Sequence, residues 1–266
     1  MTIKVCLAGA TGWAGSALAR AISGTPDLQL VAAVSRRQAG RKLGEVLGIP
    51  ELDVTLSGSA EQALQTTCDV FVEYTRPEVA KENVSAALRQ GVHVVLGTSG
   101  LADGDLDELG ELARQRKVGL LAVGNFSTAA MVLGKSAEMA ARQLPQWEIL
   151  DYASATKPDA PSGTARELAF KLSKIRAPEI TIPIDRTQGC VESRGATLNG
   201  TQVHAVRLPG HVLSVEVVFG TGDEKLSIRY DAGSSPEPYV EGALVAIRRV
   251  NTFTGLKRGL DSVMDV

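Results

Sequence analysis

Aromatic side chains make up only 4% of this 266-residue chain, and histidine occurs three times. Stacking platforms for nucleic-acid bases are therefore scarce. With a formal net charge of −2 and no cluster of Lys or Arg, the electrostatic footprint of a nucleic-acid or membrane-surface binder is missing. No apolar run approaches the roughly 18 residues of a membrane span. No basic segment followed by an apolar one precedes the first strand, so no secretory signal is expected. The three cysteines, Cys6, Cys68 and Cys190, lie far apart, and none has the spacing of a zinc ligand. Cys6 and Cys68 fall in or beside apolar strand-like runs and are expected to be buried thiols. These features predict a soluble cytoplasmic protein without a metal, a nucleic-acid partner or a membrane partner.

Glycine, in contrast, is abundant, and its placement is informative. Ile3–Leu7 reads as a buried strand, and Trp13 onward has helical periodicity through Ala17, Leu18, Ala21 and Ile22. Between them lies Gly9-Ala-Thr-Gly-Trp-Ala-Gly15. Strand, glycine turn and helix together form the context in which a dinucleotide-binding turn is expected. Gly9 permits the tight turn, Gly12 close approach of a pyrophosphate, and Gly15 close helix–strand packing. Thr11, Trp13 and Ala14 share that turn. The second strand, Leu28–Val34, ends in Ser35-Arg36-Arg37 rather than in an acidic residue. A guanidinium there suits a 2′-phosphate, so NADPH is preferred, with NADH as the alternative.

Further strands are expected at Asp69–Val72, Val92–Leu96 and Val118–Val123, alternating with helices at about 77–90 and 106–115. This alternation predicts an α/β doubly wound parallel sheet, with ligands outside the carboxyl ends of its strands. Those ends carry Thr75 and Arg76, Gly97-Thr98-Ser99-Gly100, and Gly124-Asn125-Phe126-Ser127.

The pattern changes after Ser127. A helix over 128–143 and a strand over 147–152 lead into Lys157-Pro-Asp-Ala-Pro-Ser-Gly-Thr-Ala165. Thr164-Ala-Arg-Glu167 has the form of a capping box ahead of an apolar-periodic run. A helix start carries unpaired N–H groups and partial positive charge, and Lys157 lies just upstream. The stretch reads as a seat for a carboxylate or phosphate, formed by Lys157, Ser162, Gly163 and Thr164. Strand-like runs at 201–208, 212–219 and 225–230 suggest an antiparallel meander. A last helix at about 239–250 is expected to return to the first domain.

The glycine turn, Asp69-Val-Phe-Val-Glu-Tyr-Thr-Arg-Pro77, Leu96-Gly-Thr-Ser-Gly100, Gly124-Asn-Phe-Ser127 and Lys157–Ala165 together resemble the dihydrodipicolinate reductase family over essentially the whole chain. The resemblance implies a Rossmann domain over 1–126, completed by 236–266. It also implies an α+β domain over 127–235 whose open mixed or antiparallel sheet binds substrate and assembles a homotetramer. It places the cofactor on Gly9–Gly15, the end of the second strand, Gly97–Ser99 and Asn125–Phe126. It places a cyclic imine carboxylate on Lys157 and the Gly163–Thr164 helix start.

One departure matters. The family motif has two histidines before its lysine, and here Ala153 and Ser154 stand in their places. By the resemblance the first is the proton donor and the second contacts the substrate carboxylate, a role that falls to Ser154. Either the family reaction proceeds with Tyr152, Lys157 or water as donor, or the chain is a diverged imine reductase or amine dehydrogenase. A non-catalytic nucleotide-binding protein is the third reading.

Overall fold

The computed structural model describes residues 2–264. The chain divides into two compact units: one runs to Ser127 and resumes at Pro236, and the other spans Thr128–Ser235.

The first unit follows the alternation of its sequence. Its elements are β1 (Ile3–Ala8), α1 (Trp13–Ser23), β2 (Leu28–Val34), the short α2 (Leu43–Leu47), β3 (Leu56–Ser57) and α3 (Ala60–Ala63). Then come β4 (Val70–Glu73), α4 (Pro77–Arg89), β5 (His93–Leu96), α5 (Asp103–Arg116) and β6 (Gly119–Ala122). Pro77 opens α4 at the position where a missing N–H costs nothing. All pairings in this sheet are parallel, in the order β6-β5-β4-β1-β2-β3. The direction of strand order reverses beside β1, where a crevice opens at the carboxyl ends of β1 and β4. Alternate residues of β1 feed two cores, one on each face. Val5 and Leu7 join one, and Cys6 and Ala8 join the other.

In the second unit α6 (Thr128–Gln143), β7 (Gln146–Ala153) and α7 (Gly163–Ser173) precede β8 (Ala196–Leu198), β9 (Thr201–Arg207), β10 (Leu213–Gly220) and β11 (Lys225–Ala232). Both helices pack on one face of the sheet, against Trp147, Ile149, Val203, Val215, Val217 and Phe219. The expected meander is corrected here. The strand order is β11-β10-β7-β9-β8, so β7 separates β9 from β10 and pairs with β9 in parallel. The Pro209-Gly-His211 turn passes over the end of β7 instead of closing a hairpin. There Leu208 donates to the Ala153 carbonyl and Ser154 donates to the Val212 carbonyl.

The chain then returns to the first unit as α8 (Glu237–Arg249) and β12 (Gly255–Arg258). β12 adds a seventh strand beside β6, an edge strand that the sequence pattern does not reveal. Among the described residues no helix is long and apolar enough to cross a membrane, and no cluster of His, Cys, Asp or Glu could hold a metal.

Candidate functional site

Each unit contributes a distinct site. In the first, the turn between β1 and α1 is closed by Gly12 N–H donating to the Gly9 carbonyl at 2.9 Å. Gly9 has φ of 82°, and a Cβ there would stand 2.2 Å from the Tyr74 carbonyl oxygen. A Cβ on Gly15 would stand 2.1 Å from the Gly9 carbonyl oxygen. Both clashes are with backbone, so no side chain fits at either position and the turn can approach a phosphate closely. The first turn of α1 has no acidic residue that would compete for its dipole.

Beside this turn lies a cavity of about 520 Å³. Gly9, Thr11, Gly12, Ser35, Arg36, Arg37, Thr75 and Arg76 line it, together with Glu61, Glu82 and Asn83. Thr11 and Ser35 share a hydroxyl–hydroxyl bond of 2.7 Å that ties the glycine turn to the end of β2. Arg36, Arg37 and Arg76 have no carboxylate partner among the described residues. A dinucleotide fits these residues: a side-chain-free cradle for a pyrophosphate and free guanidinium charge beyond it.

The other expected cofactor residues do not line this cavity. Trp13 is half exposed with its ring edge on Tyr239, and Ala14 and Gly15 sit in the first turn of α1. Gly97, Thr98 and Ser99 follow β5, and Asn125 and Phe126 follow β6. Gly97 lets the Tyr74 and Phe126 rings close over it, since a Cβ would stand 2.0 Å and 2.8 Å from them. Asn125 folds back to accept the Ser127 N–H at 2.9 Å.

Glu73, which motif reasoning overlooks, joins these turns from below. It ends β4 fully buried. Its carboxylate accepts the Thr75 N–H at 2.8 Å, the Thr75 hydroxyl, Asn83 Nδ2 at 2.9 Å and the Thr98 hydroxyl at 3.3 Å. Burial pushes this carboxyl above the ordinary range, and the Thr75, Asn83 and Thr98 hydrogen bonds pull against it. A carboxyl with a raised folded-state pKa costs stability as pH rises from its unfolded value through its folded one. Glu73→Gln mimics the neutral form, so its melting temperature relative to wild type should increase from acidic to neutral pH. Thermal unfolding across that range checks this, and a pH-independent difference would contradict it.

In the second unit, the stretch after β7 folds around Asp151, which is fully buried. Asp151 accepts Ser162 N–H at 2.7 Å, Ser162 Oγ–H at 2.6 Å and Arg207 Nη2 at 2.8 Å. Arg207 also donates from Nη2 and Nε to the Asp159 carbonyl, at 2.8 Å and 3.3 Å. The loop between β7 and α7, with a cis Ala160–Pro161 bond, is thus pinned at both ends. The helix cap is corrected. Ser162, not Thr164, is the N-cap, its hydroxyl accepting Ala165 N–H at 3.3 Å. Glu167 pairs instead with Lys171 one turn on, at 3.1 Å.

Lys157, in the loop between β7 and α7, has its Nζ 2.7 Å from Asp159 Oδ1. Ser162, Gly163 and Thr164 form the cap and first turn. Ser154 bonds Thr156 hydroxyl to hydroxyl at 3.0 Å and accepts Lys157 N–H at its carbonyl. Tyr152, in contrast, alternates to the opposite face of the sheet from Asp151. It stacks on His211 with ring centroids 5.3 Å apart, and the Arg229 guanidinium lies 5.0 Å above it. Tyr152 thus faces away from Asp151, with its ring engaged by His211 and Arg229. His204 bonds Glu148 at 2.7 Å on that same outer face, and His93, in the first unit, accepts Gly119 N–H at 2.9 Å. The missing histidine pair is not replaced by another histidine within this unit's seat.

The family model described as dihydrodipicolinate reductase, N-terminus, matches residues 3–126, and the one described as dihydrodipicolinate reductase, C-terminus, matches residues 129–265. This chain belongs to the dihydrodipicolinate reductase family. A 4-hydroxy-tetrahydrodipicolinate reductase of Desulfitobacterium hafniense is 36% identical over 265 residues, covering 99% of both chains. A dipicolinate-bound dihydrodipicolinate reductase from Paenisporosarcina sp. TG-14 superposes with a TM-score of 0.75 at 27% identity, covering 99% of this chain and 100% of that one. A scyllo-inositol dehydrogenase of Lactobacillus casei with bound NAD(H) is 13% identical, with a TM-score of 0.63, over 93% of this chain and 87% of that one. At that identity it shares the fold alone.

Proposed function

We propose that this protein is a 4-hydroxy-tetrahydrodipicolinate reductase, reducing a small cyclic imine dicarboxylate with a nicotinamide cofactor. The observation that carries this reading is the pairing, in one chain of this family, of two built features. One is a glycine cradle opening on unpaired guanidinium groups. The other is a pinned helix start preceded by a loop that carries Lys157.

The cofactor would be held by the Gly9–Gly15 turn, Thr11, Ser35, Arg36 and Arg37, with Thr75, Arg76, Gly97–Ser99 and Asn125–Phe126 at the neighbouring strand ends. When bound, the nicotinamide supplies hydride. Arg36 and Arg37, free of carboxylates at the end of β2, favour the 2′-phosphate of NADPH over NADH. Lys157, Ser154 and the Ser162–Thr164 turn hold the substrate carboxylate by charge and helix dipole. Hydride addition to a conjugated imine leaves a carbon that must take a proton. That proton is assigned here to Lys157, with water as its relay to solvent, because the Tyr152 ring is engaged by His211 and Arg229.

The outer face of the second unit's sheet supports assembly into a homotetramer. Neither α6 nor α7 covers it, and it bears Leu150, Val206 and Val218 beside Glu148 and His204. Three thiols outside disulfides suit a reducing cytoplasm.

The test is NADPH oxidation on the product of the preceding synthase, freshly made, beside a panel of other cyclic imine acids. Turnover near the common enzymatic value of about 10 s⁻¹ on the first substrate is expected. Turnover only on another imine would overturn the substrate. Arg36→Ala, in the same assay, should weaken NADPH more than NADH; equal losses would remove the 2′-phosphate contact.

A further inference from the structure

The ammonium group of Lys157 already has a partner. Asp159 Oδ1 lies 2.7 Å from it, although both side chains remain partly open to solvent. An anion arriving at this helix start does not find a free cation. It must displace a resident carboxylate or share a cation with it.

The surroundings of Asp159 suggest how it leaves. Its main chain is fixed, because Arg207 holds the Asp159 carbonyl while gripping buried Asp151. Its carboxylate is less well satisfied: Oδ2 is buried and has no hydrogen-bond partner. A buried carboxylate oxygen without a donor is unfavourable, so this orientation does not meet the full demand of the group. A cation close to it is Arg166, near the start of α7. Arg166 Nη2 stands 4.0 Å from Asp159 Oδ2, just beyond hydrogen-bond reach. Its Nε is tethered to the Pro161 carbonyl at 3.1 Å, which aims the guanidinium at Asp159. A small rotation of the Asp159 side chain would exchange one cation for the other without moving the backbone.

We propose that Asp159 is an exchange residue of the anion seat. It holds Lys157 between turnovers, yields it to the substrate carboxylate, and turns to Arg166 while substrate is bound. The proposal rests on the reading of Lys157 as the carboxylate anchor and adds what governs entry and release. Because Asp159 competes for Lys157, it weakens the seat for every dicarboxylate, product included, and so speeds release. Arg166 acts in the opposite direction, by receiving Asp159. Neither Asp159 nor Arg166 is a catalytic residue in this scheme; each sets how available Lys157 is.

The experiment measures pyridine-2,6-dicarboxylate binding by calorimetry to the full chain with cofactor present. The variants are Asp159→Asn, Arg166→Ala, their combination, and Lys157→Ala. Asp159→Asn should bind the dicarboxylate about 2- to 5-fold more tightly, the scale of one partly exposed ion pair. In steady state the same variant should lower KM and kcat together, since product leaves more slowly. Arg166→Ala should weaken binding in the wild type by a similar factor and have little effect in the Asp159→Asn background. Weaker or unchanged binding in Asp159→Asn overturns the exchange. Equal loss on Arg166→Ala in both backgrounds also overturns it, because Arg166 would then be touching the ligand directly. Unchanged binding in Lys157→Ala removes the anchor itself and the exchange with it, an outcome separable from the other two.

Discussion

Replacing Lys157 by alanine is expected to raise KM for the imine dicarboxylate by about 10- to 150-fold, the range for losing one hydrogen bond to a charged group. The fold should be unaffected. Lys157 is partly exposed, and its ion-pair partner among the described residues, Asp159, is held through its carbonyl by Arg207, which does not depend on the lysine. A second substitution separates its two roles. Lys157→Arg keeps the positive charge and should recover much of the affinity. A guanidinium does not release its proton near neutrality, so kcat should stay low. If a proton on Lys157 is delivered in the transition state, that deficit should fall in the range of about 10²–10⁴. Full kcat in Lys157→Arg would assign the proton to water alone. An unchanged KM in Lys157→Ala would remove this residue from the seat. Steady-state kinetics at saturating NADPH, with dicarboxylate binding measured alongside, checks both.

The second large effect concerns stability. Asp151→Ala should destabilise the second unit by about 3–5 kcal/mol, the cost of breaking a buried ion pair by removing one partner. The change leaves the mostly buried Arg207 without its carboxylate and also strips the partners from Ser162 N–H and Oγ. The anion seat should fail with it, because Ser162 loses the contact that fixes the start of α7. Arg207→Met should do less harm, since it leaves Asp151 with both Ser162 donors. Chemical denaturation of the three proteins decides this. A loss below about 1 kcal/mol in Asp151→Ala, the scale of an exposed pair, would mean the cluster does not organise the loop.

The parts of this structure that were legible beforehand are those written in local pattern. The parallel strands of the first unit are short apolar runs buried on both faces, and their turns carry glycine where a Cβ would strike backbone. β12 was illegible for the converse reason. Gly255-Leu-Lys-Arg258 is short, half charged and at a sheet edge, so no alternation marks it. The order of strands in the second unit was also out of reach, because three runs joined by short turns resemble a meander whether or not another strand lies between them. At the start of α7 the local pattern pointed to Thr164 as the cap, not Ser162. The choice was made by Asp151, eleven positions back, which seizes Ser162. Arg207 is 56 residues from Asp151, and no spacing rule links them. Glu73 was visible as a charge ending an apolar strand, but only folding brings Thr75, Asn83 and Thr98 around it.

The first unit is not continuous along the chain. Leu244 and Ile247 of α8 share a core with Val5, Leu7 and Leu18, and β12 supplies an outer strand of the same sheet. During synthesis these pieces emerge only after the whole second unit. The nascent Rossmann sheet must therefore wait with part of its core exposed until α8 and β12 have been made.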